Sequence, residues 1–292
     1  MAARSSYALI NNLRLHYLSW ESEPGGNSAV LLHGLASNAR IWDKVGPRLA
    51  EAGYRAVAPD QRGHGLTDSP DDGYDFSTLA GDLAASLSYW NITRPLLAGH
   101  SWGASVALEY AARYFAGPRA PAGLVLVDGG ITKLRDRPGA SWENVLERLT
   151  PPPLAGMPVD AFLERVQRGQ PGWRPDDGDL QSILANFEVL PDETIRPRLS
   201  LEHHLQILQA LWDFDAYDRL RRVSCPVLVI LAAPADQADN EFYQAKKRGV
   251  EKALAVRPDL QVIWMPDTVH DIPLQRPVEL ADSIAHFVEQ SS

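Results

Sequence analysis

A serine flanked by two glycines is the clearest chemical signal in this chain. Residues 99–103 read Gly-His-Ser-Trp-Gly and join a short apolar run at residues 95–98 to a segment of helical character that begins at Ser105. A serine held in the sharp turn between a strand and a helix is exposed as a nucleophile. Glycines on either side give such a crowded turn the space that it needs. The pattern therefore predicts nucleophilic chemistry at Ser101, with the backbone N–H of Trp102 beside it at the start of the helix.

Apolar strands alternate with helical segments on both sides of this turn. The predicted buried strands cover residues 29–32, 55–58, 95–98, 124–127, 227–231 and 261–265, and residues 13–20 alternate as an early edge strand. Helical spacing of apolar residues predicts helices at residues 41–52, 76–90, 105–114, 241–256 and 277–287. This alternation predicts a mostly parallel sheet that helices cover on both faces.

The alternation stops between residues 131 and 223. Prolines recur there, including three in a row at residues 151–153, and helical patterns at 141–149, 159–168, 180–187 and 202–212 come without a convincing strand. We expect residues 131–223 to form a helical cap over the C-terminal edge of the sheet. Residues 1–130 and 224–292 would then form the core domain.

The composition of the chain limits the kinds of partner and cellular compartment that it suits. A net charge of −9 over 292 residues argues against nucleic acid or an anionic membrane surface as the main partner. Cys225 is the only cysteine, so the fold does not depend on an internal disulfide. Residues 1–17 lack the apolar core of a signal peptide, and no segment approaches the length of a membrane span. These features predict a cytoplasmic protein.

Four motifs in the chain resemble those of the α/β-hydrolase superfamily. They are His33-Gly34, the Asp-Gln-Arg-Gly-His-Gly sequence at residues 60–65, the serine motif at 99–103 and the His-Asp-Ile-Pro sequence at 270–273. The resemblance covers nearly the whole chain and is to bacterial serine esterases that carry a cap. It implies an α/β-hydrolase fold with an eight-stranded sheet, and a catalytic order of serine, acid and histidine along the chain.

The same resemblance gives roles to three further residues. His270 follows the last strand, where the family carries the general base that takes the proton of the nucleophile. The backbone N–H groups of Leu35, after His33-Gly34, and of Trp102 would form the oxyanion hole. His33, His64 and His100 stand in family motifs where histidines support loops. No metal-binding motif or cofactor site is recognised.

The acid of the triad has more than one candidate. Family members usually carry it after the seventh strand, where this chain has Asp236 without the expected glycine and Asp239 further along. Some carry it after the sixth strand, where this chain has Asp128. We take Asp128 as the first candidate and Asp236 as its alternative. The acid would orient His270 and stabilise its imidazolium form.

These assignments predict a carboxylic ester hydrolase that works through an acyl-enzyme. A serine at the elbow argues against the epoxide hydrolases and haloalkane dehalogenases of this fold, which use a carboxylate there. The predicted cap is rich in large apolar side chains, which favours a small apolar ester or lactone as substrate; they are Trp142, Phe162, Trp173, Phe187, Trp212 and Phe214. A lactonase, a carbon–carbon bond hydrolase and a non-catalytic small-molecule receptor remain as alternatives.

Overall fold

The computed structural model describes residues 2–22, 26–137, 139–235 and 240–291. Its strands are β1 (Arg4–Ile10), β2 (Leu13–Trp20), β3 (Asn27–Leu32), β4 (Tyr54–Pro59), β5 (Leu96–His100), β6 (Gly123–Val127), β7 (Phe187–Val189), β8 (Ile195–Pro197), β9 (Val227–Ala233) and β10 (Gln261–Pro266). Eight of them form one sheet in the order β1-β2-β4-β3-β5-β6-β9-β10. Strand β2 is antiparallel to both of its neighbours, and the other pairs are parallel. The predicted mostly parallel, eight-stranded sheet is confirmed.

Helices cover both faces of this sheet. They are α1 (Gly46–Glu51), α2 (Phe76–Tyr89), α3 (Trp102–Arg113), α4 (Trp142–Leu149), α5 (Val159–Gln167), α6 (Asp177–Leu184), α7 (Leu201–Asp213), α8 (Ala216–Arg222), α9 (Glu241–Val256), α10 (Ile272–Gln275) and α11 (Pro277–Ser291). Leu97 of β5 belongs to the core cluster that includes residues of α2, α3, α8 and α9. Its neighbours Leu96 and Ala98 belong to the cluster with residues of α1 and α11. This two-residue alternation is why residues 96–98 of β5 are all apolar and buried.

The N-terminal end of the sheet differs from the sequence prediction. Residues 13–20 were expected to form an edge strand, but β2 pairs with β1 on one side and β4 on the other. The edge belongs to β1, whose residues carry no alternating pattern clear enough to predict a strand. Asn11 and Asn12 connect the two strands with positive φ angles of 51° and 61°, the conformation that a tight hairpin turn demands.

The segment between β6 and β9 contains α4 to α8 and is not entirely helical. β7 and β8 pair antiparallel to form a second, two-stranded sheet, so the expectation that this segment lacks strands was wrong. Each strand has three residues, too few for the alternating pattern that identifies a strand in sequence. The predicted helix at residues 180–187 ends at Leu184, before Phe187 enters β7.

This segment contacts loops that follow the C-terminal ends of the core strands. After β3, the Asn38 side-chain amide donates to the Ser182 carbonyl of α6 over 2.9 Å. After β4, the Tyr74 hydroxyl lies 3.0 Å from Nδ1 of His203 in α7. Both contacts position α6 and α7 at the edge of the sheet where strand β5 ends. None of the helices in the described part of the chain has the length and hydrophobicity to span a lipid bilayer.

Candidate active site

Ser101 occupies a strained turn between β5 and α3. Its φ and ψ angles are 54° and −118°, in a backbone region that residues other than glycine rarely adopt. The turn is so tight that a Cβ added at Gly99 would lie 2.2 Å from the Gly103 carbonyl oxygen. A Cβ at Gly103 would lie 2.4 Å from the carbonyl oxygen of His33. Both glycines are therefore required by backbone contact, and together they hold the serine hydroxyl at the sheet edge.

Ser101, His270 and Asp128 form a continuous hydrogen-bonded series. Oγ of Ser101 lies 2.9 Å from Nε2 of His270, and Nδ1 of His270 lies 2.6 Å from Oδ2 of Asp128. The Asp128 side chain is fully buried, whereas that of His270 is half exposed. With Nδ1–H donating to the carboxylate, Nε2 is left free to accept the serine proton.

Three hydrogen-bond partners hold the buried Asp128 carboxylate in one orientation. The Ala232 N–H donates to Oδ1 over 2.9 Å, and Nζ of Lys246 lies 2.7 Å from Oδ1 and 2.8 Å from Oδ2. The third group is His270. Burial alone would raise the pKa of the Asp128 carboxyl, but the hydrogen bond from His270 and the positive charge of Lys246 lower that pKa to about 2. The carboxylate therefore stays ionised across the working pH range of most enzymes.

Lys246 was not singled out in the sequence. It lies in α9, within a predicted helix that carries several charged residues. Only the folded arrangement, which brings α9 against the ends of β6 and β9, shows that its ammonium group contacts Asp128.

The loop that carries His270 is fixed from below by a second histidine. Nε2 of His100 donates to the His270 carbonyl oxygen over 2.9 Å, and the two rings lie 4.8 Å apart. Burial, and then the charge of His270, lower the pKa of His100 to about 4, so this ring is neutral. Burial also lowers the pKa of His270, but the hydrogen bond and the charge of Asp128 outweigh it, and the net pKa is raised above the ordinary value.

The loop after β3 lies directly beside the nucleophile. A Cβ at Gly34 would stand 3.1 Å from the Ser101 Cβ, so the backbone leading to Leu35 passes close to the serine. The Ala36 N–H donates to Nε2 of His64 over 3.2 Å, and the Gln61 side-chain amide donates to the His33 carbonyl over 2.7 Å. These two hydrogen bonds fix the loop on both sides of Leu35.

Trp102 lies at the first position of α3, against the same loop. Its ring stacks on that of His64, with centroids 5.1 Å apart. Burial, and then the charge of His33, lower the pKa of His64 to about 3, so the ring is neutral and can accept the Ala36 N–H. Within the described residues, no hydrogen bond uses the backbone N–H of Leu35 or of Trp102. Both N–H groups are therefore free to donate to an anionic oxygen beside Ser101.

The other acid candidates, Asp236 and Asp239, lie outside the described residues. Of the carboxylates that the structure describes, Asp128 is the one within hydrogen-bond distance of Nδ1 of His270. Among the described residues, no three His, Cys, Asp or Glu side chains converge in a way that could hold a metal ion. Cys225 is buried, and burial raises the pKa of its thiol to about 11, which leaves it unreactive.

Several aromatic side chains between β6 and β9 fall into two groups. Phe214 packs on Phe76 of α2 with ring centroids 4.3 Å apart, and Phe162 packs on Phe187. Phe214 and Phe162 are buried and stabilise the fold of the segment. Trp142 and Trp212 face each other at 6.1 Å and remain partly accessible.

Comparisons with known proteins agree with this architecture. Residues 29–283 match the alpha/beta hydrolase family. The 2-(acetamidomethylene)succinate hydrolase of Mesorhizobium japonicum is 25% identical over 284 residues, which cover 93% of this chain and 91% of that protein. A soluble epoxide hydrolase of a Corynebacterium species is 38% identical over 104 residues, which cover 36% of this chain and 35% of that protein.

The crystal structure of E-2-(acetamidomethylene)succinate hydrolase superimposes with a TM-score of 0.78. The match covers 98% of this chain and 99% of that one at 23% sequence identity, which shows a shared fold. The activities named for these similar proteins differ from one another, so the comparisons do not identify the bond that this protein cleaves.

Proposed function

The chain belongs to the alpha/beta hydrolase family, and on that premise we propose that it is a serine hydrolase that cleaves carboxylic esters. The observation that carries the proposal is the continuous hydrogen-bonded series from Ser101 through His270 to Asp128. A neutral imidazole between a serine and a buried carboxylate is the arrangement that activates a hydroxyl for acyl transfer.

In the proposed reaction, Ser101 Oγ attacks the ester carbonyl carbon while Nε2 of His270 takes the hydroxyl proton. Asp128 holds the imidazole in the tautomer with its free lone pair toward the serine, and it stabilises the imidazolium that forms. The carbonyl oxygen becomes an oxyanion beside Ser101, where the N–H groups of Leu35 and Trp102 would donate to it. His270 then returns the proton to the leaving alcohol, and an acyl-enzyme remains on Ser101.

Hydrolysis of the acyl-enzyme repeats the same steps with water. His270 removes a proton from water as it attacks the acyl carbon, and the proton passes to Ser101 Oγ when that bond breaks. The half-exposed imidazole of His270 supports this step, because water can reach the ring from solvent. No metal or cofactor is needed to balance the reaction.

We further propose that residues 131–223 act as the cap that selects the substrate. The contacts of Asn38 with Ser182 and of Tyr74 with His203 support this role, because they lie at the edge of the sheet where Ser101 stands. The large apolar side chains that are abundant in this segment favour a small apolar ester or lactone over a sugar.

A second candidate follows from the similarity to 2-(acetamidomethylene)succinate hydrolase over 93% of the chain. That protein's name specifies a small carboxylate-bearing substrate with an acetamido group. The same nucleophile, base and acid could open such a substrate or cleave a carbon–carbon bond in a diketone. Assays with both classes of substrate, alongside simple esters and lactones, decide which reaction is fastest.

Pre-steady-state release of p-nitrophenol from a short-chain ester tests the proposal. We expect a burst that Ser101→Ala abolishes. Lactone opening without ester turnover would identify a lactonase instead. No turnover of any of these substrates, combined with tight binding of a small apolar ligand, would identify a receptor and overturn the enzymatic proposal.

A further inference from the structure

A lysine contacts both oxygens of the Asp128 carboxylate, including the oxygen that His270 contacts. Nζ of Lys246 lies 2.7 Å from Oδ1 and 2.8 Å from Oδ2 of Asp128, and 3.1 Å from the Ala232 carbonyl oxygen. Its side chain is 19% exposed, so the ammonium group is largely withdrawn from water. A charge this deeply placed is stable only beside a partner of opposite charge, and Asp128 is that partner.

Lys246 connects three elements at the site. Asp128 follows β6, Ala232 lies near the end of β9, and Lys246 itself belongs to α9. The Asp128 carboxylate thus accepts from the Ala232 N–H, the Lys246 ammonium and Nδ1 of His270. With these donors in place, the carboxylate has one orientation, which directs Oδ2 at the imidazole.

The lysine charge also acts on His270. Both Nζ of Lys246 and Nδ1 of His270 lie within 2.8 Å of Asp128 Oδ2, which places them within about 5.5 Å of each other. Within the ranges that the structure describes, the charged or titratable groups that face His270 are Asp128 after β6, Lys246 of α9, His100 of β5 and Asp271, which follows His270 in the chain. Asp128 favours the imidazolium form, whereas Lys246 opposes it.

We propose that Lys246 is a positioning residue for the Ser101–His270–Asp128 series, which fixes the Asp128 carboxylate and limits how strongly that carboxylate holds a proton on His270. This inference rests on the proposed function, because it concerns the same base and acid. Its consequence is that His270 stays neutral, and able to accept the serine proton, at lower pH than an Asp–His pair alone would allow. The positive charge of Lys246 lowers the pKa of His270, in the direction that this role requires.

Three variants test the proposal. Lys246→Met removes the charge and keeps a chain of similar length, whereas Lys246→Arg keeps the charge. Lys247→Met is the matched control, because Lys247 is the exposed next residue of α9. Each variant is checked for folding by circular dichroism and thermal unfolding. The pKa of His270 is then measured by NMR titration, and the pH dependence of kcat/KM is measured with a p-nitrophenyl ester.

We expect Lys246→Met to raise the pKa of His270 by about one unit and to move the acid limb of kcat/KM upward by the same amount. The value of kcat should fall about tenfold with little change in KM, because Asp128 loses a group that orients it. Lys246→Arg should keep the pKa of His270 and the acid limb at their wild-type positions, and Lys247→Met should change neither.

A folded Lys246→Met protein with an unchanged His270 pKa would overturn the proposal. An equal shift of the His270 pKa in Lys247→Met would also overturn the proposal, since the shift would then follow from removing any positive charge on α9. The NMR titration needs no substrate. If the wild-type protein gives no acyl-enzyme burst, the proposed function fails, while the His270 titration still decides the role of Lys246.

Discussion

The Nδ1 atom of His270 lies 2.6 Å from Oδ2 of Asp128, although 142 positions separate the two residues in the chain. The contact spans the sheet from the end of β6 to the loop after β10, across the intervening strand β9. It joins a buried carboxylate to a half-exposed imidazole, and this difference in burial is the basis of the roles proposed for them.

The first prediction concerns the identity of the acid. Asp128→Asn should lower kcat by about 1,000-fold or more, because the amide cannot stabilise the imidazolium and favours the wrong tautomer of His270. Steady-state kinetics with a p-nitrophenyl ester measure the effect. Asp236→Asn is the matched control, since the sequence alone leaves that residue as the alternative. Equal losses in the two variants, or a larger loss in Asp236→Asn, would contradict the assignment of Asp128.

The second prediction concerns pH. His270 must be neutral to accept the serine proton, and its net pKa is raised above the ordinary imidazole value. The acid limb of kcat/KM should therefore lie above the ordinary imidazole pKa of about 6.5. Asp128, with a pKa of about 2, remains ionised throughout this range and adds no second limb. A pH–rate profile that stays flat to pH values well below 6.5 would argue against His270 as the base.

The third prediction concerns the glycine that the elbow requires. Gly103→Ala would place a Cβ 2.4 Å from the His33 carbonyl oxygen and 2.5 Å from that of Leu32. Because both contacts are with backbone, we expect a loss of about 3 kcal/mol in the free energy of unfolding, together with the loss of activity. Urea denaturation measures the stability.

Gly81→Ala is the control for this variant. Gly81 lies inside α2, and a Cβ there would meet nothing within 4 Å. The variant should gain about 0.5–1 kcal/mol and keep full activity. Similar stability changes at Gly81 and Gly103 would show that the elbow contacts do not govern the effect.

The fourth prediction concerns the loop that carries Leu35. His64→Phe keeps an aromatic ring against Trp102 but removes the acceptor of the Ala36 N–H. Gln61→Leu removes the hydrogen bond to the His33 carbonyl from the other side of the loop. Each variant should lower kcat by about 10- to 100-fold with little change in KM, because a displaced Leu35 N–H weakens binding of the oxyanion. Steady-state parameters check this, and a change confined to KM would assign the loop to substrate binding.

Much of the fold was predictable because its signals are local. The apolar run before Gly99 and the helical segment after Gly103 identify the turn at Ser101 without reference to any other part of the chain. The hairpin between β1 and β2 was predictable too. Asn11-Asn12 lies between β1 and the alternating segment of β2 and is a recognisable turn sequence. That turn predicts that β1 pairs with β2, which leaves β1 and not β2 at the edge of the sheet.

The acid and its lysine could not be settled in the same way, because they depend on which strands are neighbours. The ends of β6 and β9 meet at one edge of the sheet, so a carboxylate after either strand satisfies the sequence pattern equally well. The contact between Lys246 and Asp128 joins residues 118 positions apart and leaves no local pattern. The three-residue strands β7 and β8 were missed because they are too short to show an alternation.

The central claim is that Ser101 forms a covalent acyl-enzyme, and trapping that intermediate tests it most directly. Wild-type protein, Ser101→Ala and Asp128→Asn are mixed with p-nitrophenyl acetate, quenched with acid within the burst and digested for peptide mass spectrometry. We predict one acetyl group on the peptide that contains Ser101 in the wild-type protein, less of it in Asp128→Asn and none at that position in Ser101→Ala. Turnover of the ester with no acetylated Ser101 at any quench time, and with undiminished rates in Ser101→Ala, would contradict the account.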